Sequence, residues 1–414
     1  MEKSQEQTNY NGFLLVNKPS GPTSHDIIDQ LRRIALIRQI GHAGTLDPFA
    51  SGLLLVGIGE ATKLLRHYVG LDKKYEAILK LGAVSDTYDR TGNITKTSNS
   101  KHQTSKKYQI TNNQIKKILK SFIGKQKQTP PMYSAKKIKG KKLYELARKG
   151  IEVKRKAQDI EIYDIKLVSY KDDILKIECR VSSGTYIRTL AHDIGQKLGC
   201  GAYLEELKRT RIGDFELKDA IIIRHPEAEK PLKDLVNNAP ASLTRSFDFT
   251  PAEYGARSAQ DDVLSHLTPL KTILVSGTFD WVHAGHKNYF QQARKLGHRL
   301  IAIVGRDSMV QKIKNRKPRL SEKTRIKQVK ACEEIDRVYL GVDGSDAKVY
   351  DFVASLQPDI IALGYDQKAY TENLEKEMKK RNLNTKIIRL KPYEPNTYKS
   401  SILAKTVDRK SKKL

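Results

Sequence analysis

The chain of 414 residues carries 76 Lys and Arg against 47 Asp and Glu, a formal net charge of +29. Because a typical domain holds roughly 100–200 residues, the length excludes a single small domain, and the charge excess favours a polyanionic partner. Hydrophobic residues make up 38% of the chain, enough for packed cores, and no apolar run approaches the roughly 20 residues of a membrane-spanning helix.

Strands and helices are mixed in the first half of the chain. Four segments read as strands: GFLLVN (12–17), YEAILKL (75–81), IEIYDIKLVSY (160–170) and DILKIECRV (173–181). The last alternates apolar and charged residues, as expected of a strand with one buried face. Helical spacing of apolar residues predicts helices at 112–122, capped by Thr111, and at about 189–198, ending at Gly199. This mixture predicts an α+β domain with a mixed or antiparallel sheet over residues 10–230.

A glycine-rich segment, GHAGTLDPFASGLLLVGIGEATK (41–63), places Asp47 beside a proline in a loop before an apolar strand. Alone, an Asp-Pro pair in such a loop is usually only a turn. Further segments stand in order along the chain: KPSGPTSHD (18–26), LDKKYEAILKLG (71–82), SDTYDRTG (85–92), PPMYSAKKIKGKKLYELARKGIEV (130–153), SSGTYIRTLAHDIG (182–195) and LGCGAYLEELKRTRIGDF (198–215). With these motifs, residues 10–225 resemble the TruB family of tRNA pseudouridine synthases. The resemblance implies a pseudouridine-synthase fold and modification of uridine-55 in the T-loop of tRNA.

The resemblance also implies roles for individual residues. Asp47 matches the essential catalytic aspartate of the family, and Arg188 matches the arginine that pairs with it. The positions implied to contact the substrate are His42, in the space left by the flipped base; Tyr75, stacked on the uracil; Asp89, near the RNA; Tyr186 and Arg188, in the site; and Leu207, lining the pocket. Tyr203 stands where the family usually has histidine, a departure that concerns a peripheral contact and not the chemistry.

These residue types suit the reaction. Isomerising uridine breaks the C1′–N1 bond and forms a C1′–C5 bond, with no redox step and no group donor, so we expect no cofactor. A carboxylate is needed at the sugar–base junction, as nucleophile or as base, and both roles stay open. A bidentate contact from Arg188 would orient the ionised carboxylate of Asp47. Extruding the uracil costs a few kcal/mol, which stacking on Tyr75 partly offsets.

The positive charge is concentrated in one window. Residues 101–150 contain 15 Lys and Arg and a single acid, Glu145. A charge run is usually a solvated face, but an excess this local favours a surface that binds phosphates. We expect Lys136, Lys137, Lys141 and Lys142 in this window to bind the phosphates that flank the T-loop, without contacting bases.

The pattern changes in the second half of the chain. Residues 231–270 contain prolines and no sustained periodicity, which predicts a linker. Five short apolar strands then alternate with helical stretches: TILVS (272–276), LIAIVG (300–305), RVYLG (337–341), DIIALG (359–364) and TKIIRL (385–390). This alternation predicts a parallel sheet covered on both faces, hence a Rossmann-like α/β domain over 271–400, followed by a basic tail at 401–414.

The first of these strands runs directly into GTFDWVHAGH (277–286). The N-terminus of a helix and two imidazoles there are suited to bind phosphates and to stabilise a pentavalent phosphorus transition state. Residues 271–400 thereby resemble the cytidylyltransferase-like nucleotidyltransferase superfamily, which implies transfer of a nucleotidyl group from a triphosphate, generally with Mg²⁺. The positions implied to bind the nucleotide are Thr278, Phe279, His283, Gly285, His286 and Asp366. Lys314 and Arg325 are either further phosphate ligands or surface charges.

Two further segments indicate which molecule accepts the nucleotidyl group. PDIIALGYDQ (358–367) and KPYEPNTYKSS (391–401) are similar to archaeal-type FAD synthetases, which implies transfer of AMP from ATP to FMN. The RTEGISTT-like signature of glycerol-phosphate and ethanolamine-phosphate cytidylyltransferases is absent from the sequence.

Two other interpretations stay open from the sequence. One is an RNA-binding or RNA-chaperone protein with decayed sites, against which Asp47, Tyr75, Arg188 and the intact HAGH argue. The other makes nucleotide transfer the main activity, with the N-terminal half as a tRNA-binding module. We find no counterpart of the small PUA domain that commonly ends bacterial family members. Since Cys179, Cys200 and Cys332 are too few and too widely spaced for a disulfide framework or a zinc site, we expect a cytoplasmic protein without a resident metal.

Overall fold

The computed structural model describes residues 10–97, 110–134, 136–138, 140–147, 150–223, 263–368, 370–394 and 397. The predicted tail at 401–414, most of the predicted linker at 231–270 and part of the lysine-rich window lie outside the described residues. The chain divides into two compact units, Met1–Thr268 and Pro269–Leu414. Within the described residues, no helix combines the length and the apolarity needed to cross a membrane.

A ten-stranded mixed sheet forms the centre of the first unit. The strands of this unit are β1 (Gly12–Lys18), β2 (Ile40–His42), β3 (Ser51–Ile58), β4 (Lys73–Leu81), β5 (Ala83–Ser85), β6 (Ile94–Lys96), β7 (Gly124–Gln128), β8 (Lys137–Ile138), β9 (Lys141–Lys142), β10 (Gln158–Lys171), β11 (Ile174–Val181), β12 (Ala202–Ile212), β13 (Phe215–Glu216) and β14 (Thr268–Pro269). Their order is β14-β1-β3-β12-β4-β11-β10-β7, with β2 beside β3 and β13 beside β12. β12 runs parallel to β3 and antiparallel to β4, which confirms the predicted mixed sheet.

The first unit also contains helices, and the longest of them bury apolar residues in the same cores as the sheet. The helices of this unit are α1 (Ser24–Ala35), α2 (Arg66–Val69), α3 (Asn112–Lys120), α4 (Leu143–Ala147) and α5 (Ile187–Leu198). α3 begins behind Thr111, which forms a capping box, and α5 ends at Gly199 with φ 77°, as the sequence predicts. α5 begins two residues earlier than the periodicity indicates, because Ile187 and Arg188 are buried with its apolar face. Arg188 therefore lies in the first turn of a rigid helix.

The second unit is a five-stranded parallel sheet. Its strands are β15 (Thr272–Gly277), β16 (Arg299–Val304), β17 (Arg337–Leu340), β18 (Ile360–Leu363) and β19 (Lys386–Arg389), in the order β17-β16-β15-β18-β19. Its helices are α6 (Ala284–Arg294), α7 (Asp307–Lys314), α8 (Glu322–Lys330), α9 (Asp346–Ser355) and α10 (Leu374–Lys380). Ile273 and Leu274 of β15 belong to two different apolar cores, so both faces of the sheet are covered. The Rossmann-like prediction is confirmed, and the chain order reverses between β15 and β18, where such folds bind ligands.

Two candidate active sites

The loop that carries Asp47 is held by hydrogen bonds on both sides of that residue. Lys18, fully buried, donates through Nζ to three proline carbonyls at 2.7–3.2 Å, including that of Pro48. Ser24 Oγ accepts from the Leu46 amide at 2.9 Å. Burial lowers the pKa of Lys18 to about 8, so the ammonium form that makes these three bonds predominates at neutral pH. Asp47 thus sits on a backbone with little freedom to move.

A second buried cation, Arg209 of β12, supports the same loop. Its side chain donates from Nε to the Leu53 carbonyl at 2.8 Å and from Nη2 to the Gly44 carbonyl at 3.1 Å. It also lies beside the hydroxyl of Tyr75, opposite it on β4. Sequence reasoning missed both Lys18 and Arg209. The signal was available, since each is a charged residue at an otherwise apolar position of a strand.

Arg188 contacts the Asp47 carboxylate through two of its nitrogens. Arg188 Nε lies 3.0 Å from Asp47 Oδ2, and Nη2 donates to Oδ1 at 3.2 Å. The arginine side chain is 5% exposed and the aspartate side chain 35%, so the cation is enclosed while the carboxylate stays open to a substrate. Nη2 makes the hydrogen bond and Nε an ion-pair contact, and together they orient the Asp47 carboxylate.

Asp89 lies on the other side of Arg188. Its Oδ2 accepts from Arg188 Nη1 at 3.2 Å, and its Oδ1 accepts from the Thr91 amide at 2.9 Å. Arg188 also donates to the carbonyl oxygens of Thr87 and Tyr133. Asp89 is only 2% exposed and lies behind Arg188, and its predicted place near the RNA stays a prediction.

Burial raises the pKa of Asp47, and the nearby Asp89 carboxylate adds to this, while the Arg188 guanidinium opposes it. The net effect is a carboxylate that is more basic than an ordinary aspartate. Such a shift beside a specific charge partner is typical of a group that reacts as a base or nucleophile.

The sequence also places Tyr75, Tyr186 and His42 in the first site. Tyr75, 8% exposed, packs in the apolar cluster that contains Leu46 and Leu207. Tyr186 caps α5, and its amide and carbonyl both bond to the buried side chain of Gln128, at 2.8 and 3.0 Å. His42 lies on β2, where burial and the charge of Arg209 lower its pKa and keep the ring neutral.

Tyr203, where the sequence departs from the family, is only 8% exposed and lies on β12 opposite Lys80. The departure is thus accommodated by burial in the sheet.

The second site lies at the carboxyl end of β15. His283 caps α6, its Nδ1 accepting from the Gly285 amide at 3.1 Å, and its ring lies 4.0 Å from that of His286. Phe279, with φ 50°, is buried under His286. Burial, reinforced by His283, lowers the pKa of His286 to about 3, so this ring is a neutral imidazole with a single N–H to donate.

Arg325 is fully buried, which contradicts both expectations for it, a phosphate ligand or a surface charge. It donates to the carbonyl of Thr278 at 2.6 Å and pairs with Asp307, so it fixes the start of the nucleotide loop. Sequence reasoning also missed Asp280, whose buried carboxylate accepts from the amides of Arg319 and Leu320 at 2.8–3.0 Å. The aspartate of the GTFD motif was the available signal.

Lys314 and Asp366 belong to the segments that follow β16 and β18, the two strands that flank β15 in the second sheet. Lys314 ends α7 within the electrostatic influence of Asp280 and Asp366. Asp366 follows β18, and a hydrogen bond of 3.0 Å from Gln367 Nε2 to Ser276 Oγ ties that loop to β15. The structure thus gathers the predicted nucleotide-binding residues around the point where the strand order reverses.

Comparison with known proteins assigns each unit to a family. The TruB family pseudouridylate synthase (N terminal domain) model matches residues 32–187, the tRNA pseudouridylate synthase B C-terminal domain model matches 188–236, and the cytidylyltransferase-like model matches 274–406. The chain is 46% identical over 226 residues to tRNA pseudouridine synthase B of Thermosipho melanesiensis, covering 55% of this chain and 72% of that protein. It is 42% identical over 234 residues to the protein of the same name from Endomicrobium trichonymphae, covering 56% and 99%. A chain of the crystal structure of a Cbf5-Nop10-Gar1 complex is 28% identical with a TM-score of 0.40, covering 52% of this chain and 53% of that one.

Proposed function

The chain belongs to the TruB family of tRNA pseudouridine synthases, and from this we propose that Asp47 isomerises uridine-55 in the T-loop of tRNA to pseudouridine. The observation that carries the proposal is the contact of Nε and Nη2 of the enclosed Arg188 with the Asp47 carboxylate. TruB-type pseudouridylation needs no cofactor, so the reaction depends on residues of the chain and on the RNA.

Each side chain has a distinct part in the proposed reaction. Asp47 acts at the sugar while the C1′–N1 bond breaks; the uracil turns, C5 bonds to C1′ and loses its proton, and N1 gains one. Arg188 keeps the carboxylate aimed at the sugar, which removes the cost of orienting it in each turnover. Tyr75 and Leu207 supply an apolar wall for the extruded base.

The test is to map pseudouridine in an unmodified tRNA transcript after incubation with the wild-type protein and with Asp47→Asn. We expect pseudouridine at position 55 with the wild type and none with the variant. Asp159→Asn is the matched control, because the Asp159 side chain is 89% exposed on β10. Pseudouridine formation by Asp47→Asn, or at another position only, would refute the proposal.

The cytidylyltransferase-like unit supports a nucleotidyl transfer, for which we propose ATP as donor and FMN as acceptor. A phosphate oxygen of FMN would attack the α-phosphorus of ATP, the α–β bond would break, and FAD and pyrophosphate would leave. His283 and His286 donate to the phosphates from the N-terminus of α6. The similarity of the segments at 358–367 and 391–401 to FAD synthetases supports FMN, although 395, 396 and 398–401 lie outside the described residues.

Magnesium does not have a complete protein site among the described residues. No group of three or more His, Cys, Asp or Glu is arranged there to hold a metal, and both oxygens of Asp280 accept backbone amides. Mg²⁺ commonly reaches such sites bound to the triphosphate of its substrate.

The acceptor is tested by giving the full-length protein ATP with FMN, and CTP with glycerol phosphate, each with Mg²⁺. We expect FAD and pyrophosphate from the first mixture and no product from the second. His286→Asn should abolish FAD formation, whereas His25→Asn, at a side chain that is 70% exposed, should retain it. Labelling of the second acceptor instead of FMN would overturn the assignment.

A further inference from the structure

The rings of Tyr88 and His192 stack on each other, with centroids 4.2 Å apart and planes inclined by 22°. Tyr88 directly precedes Asp89 in the turn between β5 and β6, and His192 lies on α5 one helical turn after Arg188. The stack thus joins the two segments whose side chains form the Arg188–Asp89 ion pair. We propose that Tyr88 and His192 are positioning residues for the isomerisation, a clamp that holds Arg188 in line with Asp47.

On the turn, the backbone of Tyr88 adopts an unusual conformation. Its φ is 65°, in the left-handed region that large side chains rarely occupy. The turn is tied to β12, because the Leu204 amide donates to the Tyr88 carbonyl at 2.9 Å and the Arg90 amide donates to the Leu204 carbonyl at 3.0 Å. Held on both sides of Asp89, the turn presents the Tyr88 ring to His192 and the Asp89 carboxylate to Arg188. Such conformations persist where the surroundings enforce them, and they cluster at functional sites.

On the helix, Arg188 and His192 are four residues apart and so share one face. His192 Nδ1 is buried and has no hydrogen-bond partner within the described part of the chain. Burial lowers the pKa of His192, so the ring stacks on Tyr88 as a neutral aromatic at pH 7. The stack, and not a hydrogen bond from Nδ1, therefore links this position of α5 to the turn.

The clamp matters because Arg188 contacts two carboxylates, those of Asp47 and Asp89, which come from different segments of the chain. Its contacts to Asp47 and Asp89 are between 3.0 and 3.2 Å, and a small shift of α5 against the turn would lengthen them. Misplacement of a catalytic group by about 1 Å can cost up to a hundredfold in rate. We therefore expect loss of the clamp to slow the chemical step while tRNA still binds.

The test measures single-turnover rates of pseudouridine formation and tRNA dissociation constants for full-length variants. Tyr88→Phe keeps the ring and should keep the rate. Tyr88→Gly removes the ring, yet glycine adopts φ 65° without strain, so its effect reports the stack and not the backbone. Tyr88→Gly and His192→Ala should each lower the rate roughly tenfold, with unchanged tRNA affinity. Because both remove the same ring–ring stack, the double variant should be no slower than the slower single variant.

Asp172→Gly is the matched control, since Asp172 also has a left-handed backbone, φ 50°, in the exposed turn between β10 and β11. It should retain the wild-type rate. A wild-type rate for Tyr88→Gly, additive losses in the double variant, or a loss confined to tRNA affinity would overturn the clamp. If Tyr88→Gly fails to fold, the single-turnover rates of His192→Phe and His192→Ala are compared instead. A higher rate for His192→Phe supports the clamp, and equally low rates for both variants reject it.

The clamp rests on the role proposed for Asp47, and the two are tested separately. An active Asp47→Asn variant refutes that role. The clamp is judged by the difference between Tyr88→Phe and Tyr88→Gly.

Discussion

Arg188 contacts two carboxylates at once, those of Asp47 and Asp89. Its pairing with Asp47 was implied by the sequence resemblance and is present in the structure. The burial of Asp89 was not visible from the sequence, because an aspartate in a polar turn shows no periodicity that would indicate its exposure. Lys18 and Arg209 were also missed, although each is a charged residue at an apolar strand position; what the sequence could not show is that they bind the distant Pro48 and Leu53 carbonyls.

The raised pKa of Asp47 predicts the acid side of the rate–pH profile. The group must be ionised to act, so the rate should fall about tenfold per pH unit below its pKa in the folded protein. Because burial raises that pKa above 3.8, the fall should begin at a higher pH than an ordinary aspartate would give. Single-turnover rates measured across acidic pH check this, and a profile that stays flat down to pH 3.8 would contradict it.

Replacing Asp89 by Asn should shift the rate–pH profile in the opposite direction. The Asp89 charge raises the pKa of Asp47, so its removal should move the acid limb to lower pH. Arg188 also loses one of its two charged partners, which should destabilise the protein by about 1–3 kcal/mol. Rate–pH profiles and thermal unfolding of Asp89→Asn test both effects. Asp159→Asn serves as the exposed control. If the acid limb of the Asp89→Asn profile lies at the same pH as in the wild type, Asp89 does not raise the pKa of Asp47.

At the scale of elements, the sequence predicted what local patterns encode. Alternation located β11, and helical spacing with its caps located α3. The parallel contact of β12 with β3 was not predictable, since it joins residues 157 positions apart by long-range packing alone. The burial of Arg325 was equally unpredictable. The sequence of α8, EKTRIKQVK, is mostly charged and polar and does not form a distinct apolar face.

The lysine-rich hairpin of β8 and β9 remains the predicted contact for tRNA phosphates. Lys137 pairs with Lys142 and Ile138 with Lys141 across this hairpin, so its two short strands carry three lysines. Replacing Lys136, Lys137, Lys141 and Lys142 by Gln should lower the slope of log affinity against log salt by nearly one unit for each phosphate that the hairpin no longer binds. Filter binding of tRNA at several salt concentrations measures this slope.

Lys166→Gln with Lys171→Gln is the control, because both lysines are exposed on β10 and lie beside Asp164 and Asp172, respectively. Equal slopes for the hairpin variant and the wild type would reject the hairpin as a phosphate-binding surface.

At the scale of the whole molecule, the net charge of +29 is shared by two units that each handle phosphate-bearing substrates. Each unit has its own apolar cores and its own candidate site. The two chemistries also share no intermediate, since one rearranges a nucleoside within RNA and the other transfers a nucleotidyl group.

The two activities should therefore be separable by point substitution. Asp47→Asn should abolish pseudouridine formation and leave nucleotidyl transfer at the wild-type rate, while His286→Asn should do the reverse. Both activities are assayed on the same preparations of full-length protein. Loss of both activities from either substitution would show that the sites depend on each other.

The most direct test of the proposed role of Asp47 is to measure the single-turnover rate and the tRNA affinity of Asp47→Asn side by side. The substitution keeps the shape of the side chain and removes the charge that Arg188 orients. We predict that the affinity stays within about twofold of wild type while the rate falls below detection. A variant that still forms pseudouridine at a measurable rate, or one whose lower activity is explained by weaker tRNA binding, would contradict this role.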